Sequence, residues 1–404
     1  MSSLIFDGKK IVLAISGGIA AYKSCELLRE LRRKGASVRV MMTSGSREFI
    51  SPLTFAALSE HPVLTDAFAL SENAEIEHIK WSRWADAIVV CPATANTIAR
   101  IANGFADEPV SATIRAARVP IVICPAMNSA MWEDRLVQRN VALLHEADYH
   151  IVEPEHGALA TSSEGEGWGR LARLEWILSA LLAALQNEQP LKGKKILITA
   201  GRTEEYFDPV RMLTNPSTGK MGFALSEAAV ALGAEKVVLV HGPTTLPAPY
   251  KVQMAPVVSA ADMYRVALQH YEGTDILVMS AAVSDYRPAA VSSEKIKKLP
   301  GLLKMELEPT EDILHGLGQR KTKAIHVGFA LETFDEIENA RAKLRRKNLD
   351  FIVVNNPRDA GAGFGTDTNQ VAILDAKGNV ETLPLLSKAE VGFQIFKRVF
   401  NQHD

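Results

Sequence analysis

The chain alternates short, unbroken apolar runs with longer segments in which apolar residues recur every three or four positions. In the first half the runs are Lys10–Ser16, Ser37–Thr43, Ala87–Cys91 and Pro120–Cys124. They are too short for helices and rich in β-branched residues, which predicts strands buried on both faces. Between them Ile19–Arg33 and Ser46–Leu58 carry the helical period. The second half repeats the scheme with strands at Lys195–Thr199, Asp275–Met279, Ile325–Ala330 and Phe351–Asn355. One helix opens near Thr218 and another carries Lys343 and Lys347. Gly8-Lys9-Lys10-Ile11 and Gly193-Lys194-Lys195-Ile196 start the halves alike, and the polar link Gln186–Pro190, after an Ala/Leu-rich helix over Glu175–Leu185, separates them. The expected architecture is α/β: two doubly wound, Rossmann-like domains over residues 1–190 and 191–404. A chain of 404 residues suits two domains, at about 100–200 residues each.

In such sheets ligands sit off the carboxyl ends of the strands. The first-half loops to weigh are therefore Gly17–Ala20, Thr43–Arg47, Pro92–Thr97 and Pro125–Trp132. Ser16-Gly17-Gly18-Ile19-Ala20 lets backbone N–H groups approach an anion, but without full GxGxxG spacing it also reads as a bare strand–helix turn. Thr43-Ser44-Gly45-Ser46 and Thr94-Ala95-Asn96-Thr97 place hydroxyls and an amide at helix starts, where such residues also serve as caps. Together the three loops fit a bound phosphate better than three coincidental caps. His78, just ahead of the run Ala87–Cys91, is either an ordinary histidine or a base working near neutral pH.

In the second half, Gly219-Lys220 invites a P-loop reading, which the spacing refuses: the required first glycine is Thr214 and the required hydroxyl is Met221. Small residues follow the strand ends at Ser280–Ser284 and Gly328–Leu331, as in nucleotide-binding α/β domains. Lys295-Ile296-Lys297-Lys298 reads as a solvated charged face or, with Asp285, as part of a triphosphate and Mg²⁺ site.

Composition narrows the partners. A net charge of −2 shows no basic surplus for nucleic acid. No run approaches the roughly 18 apolar residues of a membrane span. Met1–Asp7 lacks the charged and apolar regions of a signal peptide, so a cytoplasmic location is expected. Three cysteines with no CxxC spacing suit a reducing compartment. Cys91 and Cys124 end apolar runs and are expected to be buried.

The motifs SGGIAAYK, His78 before WSRWAD, CPATANTIARIANGFAD and PAMNSAMW resemble the flavin-dependent phosphopantothenoylcysteine decarboxylases over residues 8–185. The resemblance implies a flavodoxin-like domain binding FMN at the subunit interfaces of a trimer. It implies FMN contacts from Gly17, Gly18, Ile19, Ala20, Thr43, Thr94, Ala95, Asn96 and Thr97. It makes His78 the base and Asn128 the binder of the substrate carboxylate. In that family the flavin oxidises the substrate thiol to a thioaldehyde, CO₂ leaves, and the resulting enethiol is reduced by the same flavin. A flap cysteine in the family supplies the last proton. Here the flap, His156–Arg170, has none, and the position falls on Thr161 or Ser163 depending on the end counted from. A hydroxyl is a far weaker acid than a thiol, whose pKa is about 8.5. The expectation is that decarboxylation persists with the final reduction altered.

ITAGRTEEYFDPVR, NPSTGKMG, SAAVSDYRP, KIKK, GFALET and KLRRKNLDFIVVNN resemble phosphopantothenate–cysteine ligases over residues 191–404. The resemblance implies that CTP activates the carboxylate of 4′-phosphopantothenate as an acyl-cytidylate, from which the amine of L-cysteine displaces CMP. It gives Asn215 contact with the acyl-cytidylate, Arg211 a place in the same loop, and Lys295 a role in cysteine transfer. It assigns Ala281, Ala282, Asp285, Lys295, Asp312, Ile313, Phe329, Lys343 and Lys347 to the nucleotide, and makes Asp285 the candidate Mg²⁺ carboxylate. Ligase domains of this kind dimerise, so trimers of the first domain linked by dimers of the second are expected. The product of the second half, phosphopantothenoylcysteine, would be the substrate of the first and yield 4′-phosphopantetheine. A ligase with an inactive flavin scaffold, or a decarboxylase halted at the enethiol, is the alternative that the missing cysteine raises. A purely regulatory binding protein fits the intact ligase motifs poorly.

Overall fold

The apolar runs of the first half become a parallel sheet: β1 (Lys10–Ile15), β2 (Ser37–Met42), β3 (Ala87–Ala93), β4 (Ile121–Pro125) and β5 (His150–Ile151). Its order is β2-β1-β3-β4-β5. This is the flavodoxin-type winding, with its reversal between β1 and β3. The structure is a computed structural model that describes residues 5–68, 75–161, 163–186, 188–298, 300 and 302–401. The chain divides into two compact units at residues 187 and 188.

Two expected helices of the first unit are broken, each for a local reason. Over Ile19–Arg33 a 3₁₀ turn, Ile19–Lys23, precedes the α-helix Ser24–Arg33. At the junction the buried Ser24 hydroxyl donates to the Cys91 carbonyl at 2.6 Å and draws the chain onto β3. Over Ser46–Leu58 a 3₁₀ turn, Ser44–Glu48, gives way to the helix Pro52–Ser59. Pro52 has no N–H to continue a helix but suits a first helical position, and the Ser51 side chain caps the new start. His78 lies on a helix of its own, Glu77–Trp84, that leads into β3. Asn128 caps the one-turn helix Ser129–Trp132 inside the Pro125–Trp132 loop. A two-stranded hairpin, β6 (Glu155–Ala158) and β7 (Glu166–Arg170), carries the flap. Cys91 and Cys124 are buried, as expected.

The second unit holds an eight-stranded sheet: β8 (Lys195–Ala200), β9 (Lys236–His241), β10 (Val252–Pro256), β11 (Ile276–Met279), β12 (Ile325–Leu331), β13 (Phe351–Asn355), β14 (Ala372–Asp375) and β15 (Val380–Thr382). The order is β10-β9-β8-β11-β12-β13-β14-β15. The first six strands are parallel, the Rossmann winding, and the last two are an antiparallel extension. The strands are apolar throughout because both faces are covered. Ile196, Ile198, Val237 and Leu239 pack into one core, and their neighbours Leu197, Val238 and Val240 pack into another. The order reverses between β8 and β11. Two long insertions sit at that reversal, and each forms a small hairpin: Glu204–Tyr206 with Met212–Thr214, and Tyr286–Pro288 with Leu307–Pro309.

Candidate functional site

In the first unit a cavity of about 890 Å³ lies where strand order reverses. Gly17, Gly18, Ile19 and Ala20 line it from the loop after β1, and Thr43 from the loop after β2. Thr94, Ala95, Asn96 and Thr97 line it from the loop after β3, and Asn128 from the loop after β4. The threonines are caps as well as lining: Thr43 Oγ1 accepts the Ser46 N–H at 3.3 Å and Thr94 Oγ1 the Thr97 N–H at 3.4 Å. The two readings of these residues are therefore compatible. Ser16 closes the crevice behind them. Its hydroxyl donates to the Pro92 carbonyl at 2.7 Å and accepts the Thr94 N–H at 2.9 Å. Gly17 is fixed by close approach: a Cβ there would stand 2.6 Å from the Gly45 carbonyl carbon.

Asn128 is held from both ends. Its Oδ1 accepts the Ala130 N–H at 2.9 Å, and its Nδ2 donates to Glu164 Oε1 at 2.7 Å. Glu164 Oε2 accepts from the Thr161 N–H at 3.2 Å and from the Thr161 hydroxyl at 3.1 Å. The bonds from Asn128 and Thr161 hold the Glu164 carboxyl below its ordinary range. Thr161 and Ser163 hydroxyls lie 3.0 Å apart, yet neither lines the cavity, whereas Glu164 does. Ser162, between them, is outside the described residues. The flap's root is anchored by Gly169, at φ +133°, whose missing Cβ would fall 2.1 Å from the Met127 carbonyl oxygen. His78 is not among the lining residues; its Nδ1 pairs with the Ala67 carbonyl at 3.0 Å. The sequence reading missed the cavity's cations. Lys23, Arg100 and Arg170 all line it, Arg100 paired with Asp107, and burial, with Arg170 nearby, lowers the Lys23 ammonium below its ordinary value. Lys23 stood in plain view in SGGIAAYK.

The second unit's cavity, about 590 Å³, lies at the corresponding reversal. Asn215, Ala281, Ala282, Asp285, Asp312, Ile313, Phe329, Lys343 and Lys347 all line it, from segments spread across the unit. Hydroxyls again tie the two sides. Thr199 Oγ1 accepts the Ala281 N–H at 3.3 Å, and Ser280 Oγ donates to the Thr199 carbonyl at 2.6 Å. Asn215 Nδ2 donates to the carbonyls of Ala282 and Val283 at 3.2 Å each, which locks the NPSTGKMG loop onto the loop after β11.

Lysines set the charge here. Burial lowers the Lys343 ammonium, with Lys347 adding repulsion, and its Nζ donates to the Phe329 carbonyl at 3.3 Å. Burial acts to raise the Asp312 carboxyl, but bonds from Lys347 and the His315 N–H outweigh it and hold it low. Lys347 Nζ lies 2.5 Å from Asp312 Oδ2. Lys220 and Lys388 also line the cavity, and the sequence reading assigned neither. Lys220 is bound to Asp367 and the Gly365 carbonyl at 2.7 Å, and the buried Lys388 to Thr366. Lys220 was visible within NPSTGKMG; nothing in the local pattern marked Lys388. Arg211 and Lys295 do not line the cavity. Among the described residues no group of three or more His, Cys, Asp or Glu side chains could hold a metal ion.

The family model for the flavoprotein domain matches residues 5–186, and that for the DNA/pantothenate metabolism flavoprotein C-terminal domain matches residues 191–402. The coenzyme A biosynthesis bifunctional protein CoaBC of Bacillus subtilis is 46% identical over 98% of this chain and 97% of its own. The chain belongs to the family of coenzyme A biosynthesis bifunctional proteins. A cysteine/cysteine sulfinic acid decarboxylase from an unknown prokaryotic organism is 42% identical over 87% of this chain and 98% of its own. A solved structure of the C-terminal domain of a CoaBC protein is 44% identical, covers 53% of this chain and 98% of its own, and has a TM-score of 0.46. Membership in the bifunctional family accounts for the paired sheets: each family model covers one sheet and its switch-point cavity. No helix of the described residues is long and apolar enough to cross a membrane.

Proposed function

We propose that the chain carries out two consecutive steps of coenzyme A biosynthesis. The second unit ligates 4′-phosphopantothenate to cysteine with CTP, and the first decarboxylates the phosphopantothenoylcysteine formed to 4′-phosphopantetheine. The observation that carries this reading is the near-full-length match to bifunctional relatives, in a chain with a cavity at each switch point. A match of that extent favours neither a ligase with an inert first half nor a decarboxylase halted at the enethiol.

In the second unit, Asn215 would contact the acyl-cytidylate, and Ala281, Ala282, Asp312, Ile313, Phe329, Lys343 and Lys347 would bind the nucleotide. Lysines suit this role because phosphates require positive partners in a partly desolvated site. Mg²⁺ keeps most of its waters and is usually held by one or two carboxylates plus substrate phosphates. Asp285, exposed on the cavity wall, fits that demand without a preformed cage. The carboxylate oxygen of phosphopantothenate attacks the α-phosphorus of CTP and pyrophosphate leaves. The cysteine amine then attacks the acyl carbon, CMP departs and the amine gives up a proton. Lys295 would serve this second half-reaction.

In the first unit the residues present fit FMN: a glycine-walled crevice, capping hydroxyls with backbone N–H groups at helix starts, and three cationic side chains, Lys23, Arg100 and Arg170. FMN bound there would supply a two-electron acceptor beside the substrate. Gly17, Gly18, Ile19, Ala20, Thr43, Thr94, Ala95, Asn96 and Thr97 would hold it. Asn128 would orient the substrate carboxylate through its amide, adding no charge that would oppose loss of CO₂. Glu164 now occupies the Asn128 amide, and a substrate carboxylate would take its place. His78, held as base, lies off this cavity, which fits a site completed by a second copy of the chain. Trimers of the first unit and dimers of the second, in the cytoplasm, complete the reading.

Colour and a pyrophosphate assay test both halves. Purified protein should be yellow and release FMN on denaturation. Pyrophosphate release should require CTP and phosphopantothenate together. A colourless protein that cannot be reconstituted, or pyrophosphate release without phosphopantothenate, would overturn the corresponding half.

A further inference from the structure

Lys295 sits in the loop that joins the strands Tyr286–Pro288 and Leu307–Pro309, exposed and outside the cavity lining. Its neighbour Ile296 is pinned. The Ile296 N–H donates to Asp208 Oδ2 at 3.2 Å, and its carbonyl accepts from Arg211 Nη1 at 2.9 Å. Arg211 Nη1 also lies 2.9 Å from the same Asp208 Oδ2. One ion pair therefore satisfies both backbone groups of the residue that follows Lys295. A second tie, from the Ser292 N–H to the Phe207 carbonyl at 3.0 Å, holds the start of the same loop to the same segment.

The Asp208 side chain has no exposed surface. Its Oδ1 accepts the N–H groups of Val210 and Arg211, both at 2.8 Å, and the Phe207 N–H donates to the Arg211 carbonyl at 3.1 Å, so the local turn closes through Oδ1 and the backbone. Oδ2 is not needed for that turn and reaches instead across to the lysine loop. A carboxylate fully removed from water is tolerated only when its lone pairs are met. Here they are met by joining two segments 85 or more residues apart in sequence. One guanidinium nitrogen of Arg211, Nη1, is engaged in the same clamp.

We infer that Asp208 and Arg211 are positioning residues that clamp the Ser292–Lys298 loop and so hold Lys295 where cysteine transfer needs it. This rests on the reading of Lys295 as the residue of the amide-forming half-reaction.

The test uses the full-length holoprotein with Asp208→Asn. An amide NH₂ at Oδ2 would face two donors, so the clamp opens while the Oδ1 turn is kept. Pyrophosphate release from CTP and phosphopantothenate in a single turnover without cysteine should stay within about threefold of the parent protein. Amide formed per pyrophosphate should fall at least about tenfold, and tryptic cleavage after Lys295, Lys297 and Lys298 should accelerate, since a charge-assisted hydrogen-bonded pair is lost. Arg211→Lys, which keeps one charged donor nitrogen able to meet both acceptors, should retain most of the coupling. Equal loss of both half-reactions would show Asp208 to be merely structural and overturn the inference. Lys295→Gln run in parallel separates the failures. Loss of amide formation in Lys295→Gln beside normal coupling in Asp208→Asn overturns the clamp alone. Normal amide formation in Lys295→Gln overturns the role of Lys295 and the inference with it.

Discussion

The two cavities answer the same topological cue with different materials. Each lies where strand order reverses, and in each a hydroxyl near the end of the first strand, Ser16 or Thr199, ties the two sides together. The first is walled mainly by loops of a few residues immediately after the strands, with glycine at the closest approach and the flap hairpin across one side. The second is assembled from long insertions and from lysines far apart in sequence. A short loop leaves its residues only one place to be, whereas a long one has to be tied down. In the second unit the ties, Asp208 to Ile296 and Lys220 to Asp367, are part of the site's construction.

The largest expected difference between the units is in acid. His326, in β12, is buried against the Tyr271 hydroxyl at 2.7 Å. Burial, with Lys321 adding repulsion, lowers it from 6.5 to about 4. The unfolded chain therefore takes up this proton first. Stability is fully present above pH 6.5 and is lost as pH falls toward 4, by on the order of 3 kcal/mol. All five tryptophans lie in the first unit. Denaturant unfolding followed by far-ultraviolet circular dichroism should shift toward lower denaturant between those pH values, while tryptophan fluorescence shifts less. Parallel shifts of both probes would erase the distinction.

The next effect concerns charge. Lys343→Met should raise the KM for CTP about 10–100-fold, the worth of a charge-assisted contact, and leave bound flavin per chain unchanged. Because burial lowers Lys343 from its ordinary 10.5, the parent protein's nucleotide affinity should begin to weaken at a pH below that value. Lys343→Arg, which keeps its proton, should move that loss to higher pH. Gly17→Val probes the other cavity. A side chain cannot fit against Gly45, so flavin content should fall about tenfold, within the range of overpacking costs, with pyrophosphate release changed less than about twofold. Smallest are the hydroxyl ties: Ser16→Ala and Thr199→Val should each destabilise their own unit by about 1–2 kcal/mol, seen as unfolding midpoints.

These contrasts explain what the sequence made legible. The parallel strands were readable because both faces are buried and the runs are unbroken. Every residue assigned to a flavin lies on the cavity wall because each follows a strand by a few positions. Ser24 and Pro52 broke two expected helices through one side-chain bond and one missing N–H, features that periodicity does not register. The antiparallel strands β14 and β15 and the helix Lys388–Asn401 carry no chemistry-bearing motif, so Lys388 went unmarked. Arg211 and Lys295 were visible as motif residues, but whether they face the cavity or each other's loop depends on a buried carboxylate, Asp208, that local pattern could not place.

Two cavities in one chain that work in sequence must carry one set of substrates through to the final product. The most direct measurement supplies the purified holoprotein with 4′-phosphopantothenate, CTP and cysteine together and follows products by mass spectrometry. The expected result is 4′-phosphopantetheine with one pyrophosphate and one CO₂ per molecule formed. Phosphopantothenoylcysteine accumulating on a flavin-loaded protein, or CO₂ released from cysteine without the other two substrates, would contradict it.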